Sequence, residues 1–165
     1  MVILGIDPGF AIVGWGVLEC VKGKFRVMGY GSIQTKAGTP IEERIAQIFD
    51  GMNTIIEKYK PDEMAIEELF WNTNQKTGIC VAEARGAIIL SAHKKGLKIS
   101  EYTPLQVKQS VVGYGRAEKR QVIAMVTTIL NLPKPPKPDD TADALALAIC
   151  HGHASSNPLG KFYKM

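Results

Sequence analysis

The sequence predicts an α/β fold with a mixed sheet of five strands flanked by helices. Three observations lead there. Three short segments rich in Val, Ile, Tyr and Phe follow one another through tight turns at the start of the chain. Two later strand-like segments each come after a stretch of helical spacing, and a strand–helix–strand crossover makes parallel neighbours of right-handed connection. After the fifth strand the pattern is helical.

Met1 to Ile6 reads as a buried strand that ends at Asp7–Pro8–Gly9. Ile12 to Glu19 and Lys24 to Gln34, separated by Lys22–Gly23, complete an antiparallel meander. The period then changes. Thr39–Pro40–Ile41–Glu42 offers an N-cap threonine, a first-turn proline and a glutamate at the capping-box position. Apolar residues from Ile41 to Ile56 repeat at helical spacing up to Tyr59, and Pro61 enforces the stop. Glu63 to Leu69 is the fourth strand, followed by a polar loop from Asn72 to Lys76. The next helix, from about Thr77 to His93, ends in Lys94–Lys95–Gly96, a basic last turn with a glycine cap.

Leu97 to Tyr102 is the fifth strand, and Thr103–Pro104 opens a short helix to Val112. Gly113–Tyr114–Gly115 reads as a hinge-like loop before a helix from Ala117 to Leu130. Four prolines between Leu132 and Pro138 make an extended connector. The last helix is expected from Asp140 to His151. The domain is expected to span residues 1–154, with a flexible C-terminal tail over 155–165.

A chain of 165 residues with 45% hydrophobic and 22% charged residues fits one globular domain and excludes disorder, collagen and a disulfide scaffold. There is no basic leader segment and no apolar run of the ~20 residues that a membrane helix needs. A soluble, cytoplasmic protein without membrane attachment is expected. Cys20, Cys80 and Cys150 form no Cys-x-x-Cys pair and suit reduced thiols. His151-x-His153 has metal-ligand spacing but lacks a cysteine or third histidine nearby.

Four carboxylates stand out. Asp7 ends the first strand, Glu67 ends the fourth, and Asp140 and Asp143 open the last helix. If strands one and four are neighbours, Asp7 and Glu67 finish at the same sheet edge, where open α/β sheets hold ligands. Asp140 and Asp143, three apart, share a helix face. Singly, each fits a cap, a helix dipole or a turn. Together they repel one another unless cations fill the site, and hard oxygen ligands favour Mg²⁺ or Mn²⁺.

Five segments carry a family resemblance: ILGIDPGFAIVGWG from Ile3, AIEELF from Ala65, QVKQSVVG from Gln106, AEK from Ala117 and DTADALALA from Asp140. In this order the chain resembles the RuvC-type Holliday junction resolvases, crossover junction endodeoxyribonucleases of ribonuclease H-like fold. The resemblance implies Asp7, Glu67, Asp140 and Asp143 as catalytic, metal-binding carboxylates, with two Mg²⁺ ions per site and Mn²⁺ as a possible substitute. Asp7 would bridge the ions, Glu67 hold one, and Asp140 with Asp143 the other. Asp139 and Glu68 fall outside the quartet. The implied reaction is paired symmetric nicking of a four-way DNA junction in recombination and repair, leaving 5′-phosphates. The implied partners are that junction, a second copy of the chain in a homodimer, and the RuvA–RuvB branch-migration complex.

Net charge is +4, and setting the four site acids aside leaves 20 basic residues against 12 acidic. Lys108, Arg116, Lys119 and Arg120 cluster after the fifth strand, and the resemblance puts Lys108 and Lys119 at phosphates near the cut, with Arg116 beside them on the DNA. Lys134 and Lys137 are weaker contacts. Phe70 is the expected base wedge, with Trp71 as its partner. The helix from Thr77 to His93 is apolar over more than one face, from Val81 through Ala84 to Leu90. The excess suits a dimer interface, with Ala84 expected on its exposed side.

Three rivals are set against this reading. An actin-like or sugar-kinase-type ATPase needs two such domains. A nuclease that trims ribosomal RNA precursors shares the opening motif but not AIEELF or QVKQSVVG. A junction-binding module without catalysis is the third.

Overall fold

The computed structural model describes residues 1–69 and 75–156. Five strands form one sheet: β1 (Val2–Asp7), β2 (Ile12–Val21), β3 (Lys24–Gln34), β4 (Glu63–Glu67) and β5 (Lys98–Tyr102). The helices are α1 (Ile41–Tyr59), α2 (Gln75–Lys94), α3 (Pro104–Val112), α4 (Lys119–Ile129) and α5 (Asp139–Ser156). The strand order is β3-β2-β1-β4-β5, with β1, β2 and β3 antiparallel and β1, β4 and β5 parallel. The meander and the β1–β4 pairing agree with the sequence reading. Lys22 and Gly23 both have positive φ, which matches the right-handed twist of a two-residue hairpin.

Side chains alternate between the two faces of the sheet. Leu4, Ile6, Val13, Val17, Met64 and Ile66 belong to the core that includes Ile48, Met52 and Ile56 of α1 and Ala84 and Ile88 of α2. Ile3, Leu18 and Ala65 join the second core, with Val107 of α3, Val122 of α4 and Leu145 of α5. From Thr141 to Gly152 every α5 residue except Asp143 is buried, because the sheet lies on one side and α3 and α4 lie on the other. Among the described residues no helix is long and apolar enough to cross a membrane.

Several boundaries differ from expectation. Pro40, not Thr39, is the α1 N-cap residue: its ψ of 145° keeps it extended, and no side chain caps the helix. At α3 the capping box forms, with Thr103 and Gln106 each accepting the other's backbone N–H. α4 begins two residues late, since Glu118 is its extended N-cap residue and donates its N–H to the Gln121 side chain. α5 starts one residue earlier, at Asp139, and runs past His151 to Ser156. Ala84 is fully buried in the core under α2, so it is not on an exposed side. The exposed apolar residues of that helix are Ile79 and Leu90.

Candidate active site

The period-2 pattern decides where the strand-end acids point. Asp7 alternates with Ile6 and so shares a face with Ile3 and Gly5, the face that α5 covers. In β4, Glu67 shares that face with Ala65. Ile6 pairs with Ile66, so the two carboxylates leave adjacent parallel strands at one edge.

Glycines bring α5 down to them. A Cβ on Gly5 would overlap the Ala144 carbonyl, and one on Gly14 would overlap the Asp140 carbonyl. The β1–β2 surface is thus shaved to backbone where the helix crosses it, so Asp140 and Asp143 stand within electrostatic range of Asp7. These glycines lie inside a motif quoted above, but their role was not visible there because their contacts are some 130 residues away.

Asp7 shares a hydrogen bond with Glu67. Burial, then the negative charges of Glu67, Asp143 and Asp140, push the Asp7 carboxyl from its ordinary 3.8 up to about 8. Burial also raises Glu67, with Asp143 adding to it, while Asp7's hydrogen bond, Lys119 and Lys108 pull the other way. Asp143 is raised by burial against the opposing pull of Lys119. Lys119 Nζ sits 2.8 Å from Asp143 Oδ2. Burial works against its charge, but that hydrogen bond and the surrounding aspartates outweigh it and raise its pKa.

A cleft of about 190 Å³ runs between these groups, lined by Glu67, Lys108, Lys119 and Asp143 over an apolar floor that includes Val107, Val122 and Leu147. Lys108 and Lys119 therefore face the acids across one cleft. Arg116 is exposed on the α3–α4 loop and does not line it. Arg120 pairs with its neighbour Glu118, and Lys137 with Asp139, which leaves Asp139 occupied outside the quartet. Glu68 is exposed. Phe70 and Trp71 lie outside the described residues.

Arg85 of α2 was not singled out from the sequence. Its Nε donates to the Glu67 carbonyl at 3.5 Å, and its Nη2 lies 2.8 Å from Glu101 Oε2 without the alignment of a hydrogen bond. The only sign of it in the sequence is one arginine in an apolar helix.

Among the described residues no three donors are gathered at metal-ligand spacing. The donors engage each other and Lys119 instead. Their chemistry still fits a hard divalent cation. All four are oxygen donors, and burying them together raises the pKa of Asp7, Glu67 and Asp143, which is the condition a cation relieves. The histidine pair does not join them. Both ring nitrogens of His151 have side-chain partners, and His153 meets Ser110 at 3.0 Å.

A 3-2-1-4-5 mixed sheet with carboxylates at its central strand ends and on the covering helix defines a nuclease of the ribonuclease H-like fold. The chain matches the family "Crossover junction endodeoxyribonuclease RuvC" over residues 3–151 and belongs to it. It is 54% identical to the crossover junction endodeoxyribonuclease RuvC of Clostridioides difficile, covering 99% of this chain and 96% of that one. It resembles the structure of Thermus thermophilus RuvC in complex with a Holliday junction substrate, at 34% identity, a TM-score of 0.89, and 94% and 95% coverage of the two chains. The yeast mitochondrial Holliday junction resolvase Ydc2, at 14% identity and a TM-score of 0.65 over 97% of this chain and 83% of that one, shares the fold. This chain is accordingly an endodeoxyribonuclease of crossover junctions, a hydrolase that serves recombination and repair.

Proposed function

We propose that this chain resolves four-way DNA junctions by nicking two symmetric strands, with phosphodiester hydrolysis at Asp7, Glu67, Asp140 and Asp143. The observation that carries the reading is the cleft in which Glu67 and Asp143 face Lys108 and Lys119, with Asp7 raised to about 8 beside it. Two divalent cations, Mg²⁺ or Mn²⁺, held by the four carboxylates, would activate water and neutralise the leaving 3′-oxygen. Asp7 feels Glu67 and both α5 acids, so it would be the carboxylate shared by the two ions.

The chain's own residues do the rest. Lys108 and Lys119 draw the scissile phosphate into the cleft as positive point charges. The apolar floor keeps bulk water from the carboxylates and strengthens their charge interactions. Arg116, exposed beside the cleft, holds the backbone further along, and Phe70 enters the junction centre as a wedge. The nick leaves a 5′-phosphate that a ligase can seal.

One cluster cuts one strand, so the symmetric reaction needs a second copy. Ile79 and Leu90 are exposed on one stripe of α2, three turns apart, and suit that contact. The junction would be handed over by the RuvA–RuvB complex in the cytoplasm. The junction bound by the Thermus thermophilus relative supports the substrate. The test is nicking of a four-way junction, a linear duplex and a folded RNA, with Mg²⁺ and with chelator. Mg²⁺-dependent paired nicks in the junction alone are expected. Cutting of RNA alone, or binding without cutting, would refute the reading.

A further inference from the structure

His151 lies at the far end of the helix that carries two site acids. From Asp143 to His151 α5 climbs roughly 12 Å at 1.5 Å per residue. The ring is 3% exposed and is held on both sides. Its Nδ1 is 2.8 Å from the Tyr102 hydroxyl, and its Nε2 is 2.8 Å from Glu63 Oε2.

The polarity of this chain follows from its ends. Glu63 as a carboxylate only accepts, so Nε2–H donates to it. Burial raises the pKa of the Tyr102 hydroxyl, with Cys150 and Glu63 adding to it, so the hydroxyl keeps its proton and can donate it to the Nδ1 of a neutral ring. A neutral imidazole satisfies both bonds.

The two partners sit at opposite ends of one ladder. Glu63 opens β4 opposite Lys98, and Tyr102 closes β5 opposite Glu67. The carbonyl of Tyr102 also accepts the N–H of Glu68, the residue after Glu67, at 2.9 Å. Two bonds on either side of a ring on α5 fix both the rotation of the helix and its position along the strands. At the near end the glycine surface sets how closely α5 approaches the sheet, and the Thr141 hydroxyl donates to the Gly31 carbonyl at 3.1 Å, so His151 supplies the second, distant tie of the same helix.

We infer that His151 is a positioning residue: bonded to Tyr102 and Glu63, it sets the axial placement of Asp140 and Asp143 against Glu67. It touches neither substrate nor reacting atoms. The inference rests on the metal-nuclease reading above, and it adds a part of the machinery at the opposite end of the domain.

The test uses His151→Phe, Tyr102→Phe, Glu63→Leu and Glu63→Gln in the full chain, each at a temperature where its melting curve shows it folded. Mn²⁺ affinity is read by the loss of the free-ion electron paramagnetic resonance signal. Junction affinity is read in chelator, and the single-turnover rate at saturating junction and Mg²⁺. A sub-ångström to ångström displacement of catalytic groups costs on the order of 10- to 100-fold in rate, and that is expected for His151→Phe together with weaker Mn²⁺ binding and unchanged junction affinity. Tyr102→Phe, which keeps the ring and loses only the hydroxyl, should show a smaller loss of the same kind. Glu63→Gln should be near wild type, because its amide oxygen still accepts from Nε2, while Glu63→Leu should not. Variants that melt earlier but bind Mn²⁺ and cut like wild type overturn the inference. If His151→Phe does not fold, Tyr102→Phe and the Glu63 pair decide it. A wild-type chain that binds no Mn²⁺ and cuts no junction overturns the metal-nuclease reading, and this inference with it.

Discussion

Lys119 Nζ lies 2.8 Å from Asp143 Oδ2, so a residue expected on the DNA is tied to a residue expected on a metal. The pair joins α4 to α5 and brings one positive charge into a group of four acids. Both side chains are partly exposed, at 53% and 29%, so the pair itself adds little to stability. Its importance is local: whatever charge enters the cleft changes what Lys119 holds.

Lys119→Ala should therefore weaken metal-free junction binding and flatten its logarithmic salt dependence by about one. Cleavage should slow at saturating junction as well. Binding titrations across a salt series check this. An unaltered slope would assign Lys119 to Asp143 alone.

Asp7→Asn keeps the shape of the side chain and removes the carboxyl that could ionise toward a cation among three other acids. Transition-state stabilisation should fall by several kcal/mol, the contribution expected of metal-ion catalysis. Junction affinity in chelator at neutral pH should hold, because burial already keeps the Asp7 carboxyl largely protonated there and the lysine contacts to phosphates are untouched. Wild-type nicking by this variant would refute the site.

The raised carboxyl of Asp7 gives stability a definite pH slope. Between about 4 and 8 the folded chain binds a proton at Asp7 that the unfolded chain has released. That contribution is fully present below the ordinary value of 3.8 and is lost as pH rises through about 8. Glu67 and Asp143, also raised, act in the same direction. Urea midpoints measured in chelator should fall from pH 5 to pH 8.5, with a shallower fall in Asp7→Asn. A midpoint that rises across this window would contradict the buried acid cluster.

Gly14→Ala changes no polar group, yet its Cβ would overlap the Asp140 carbonyl. Overpacking of this kind costs about 1–3 kcal/mol. In a chain of this size each kcal/mol lowers Tm by about 2–4 °C. Cleavage should fall further than stability does, since α5 must rise off the sheet. Calorimetry and nicking on one preparation separate the two effects. A variant with full activity would show that the close approach is not needed.

Leu90→Glu places a charge on an exposed α2 residue. If α2 is the dimer contact, the variant should be monomeric by light scattering and leave junctions cut on one strand. Paired cuts by a monomer would exclude the role.

The fold was legible where the signals are local. Period-2 alternation and the two crossovers fix the sheet order, and with it the meeting of Asp7 and Glu67. Helix facing is less legible: α2 is apolar over more than one face, and nothing local marks Ala84 as belonging to the core that buries it. Thr39 looked like a cap because composition records residue types and not ψ, and Pro40 stays extended. The close approach at Gly5 and Gly14, the Arg85 strut and the bonds of His151 could not be read, since each depends on partners distant in the chain. The convergence of the four acids could be, because Asp7 and Glu67 end neighbouring strands and Asp140 and Asp143 lie three apart near the start of one helix.

The order of the elements along the chain has a consequence for a protein still being made. A domain folds as a unit, so a chain whose core includes its last helix closes only when that helix has emerged. Asp7 and Glu67 leave the ribosome with the sheet, whereas Asp140 and Asp143 arrive only with the last helix. Until then the glycines of β1 and β2 have no helix to receive, and Asp7 and Glu67 have no acids from α5 beside them. A partly synthesised chain next to nucleic acid therefore carries two of the four candidate acids without the helix that brings the other two to them.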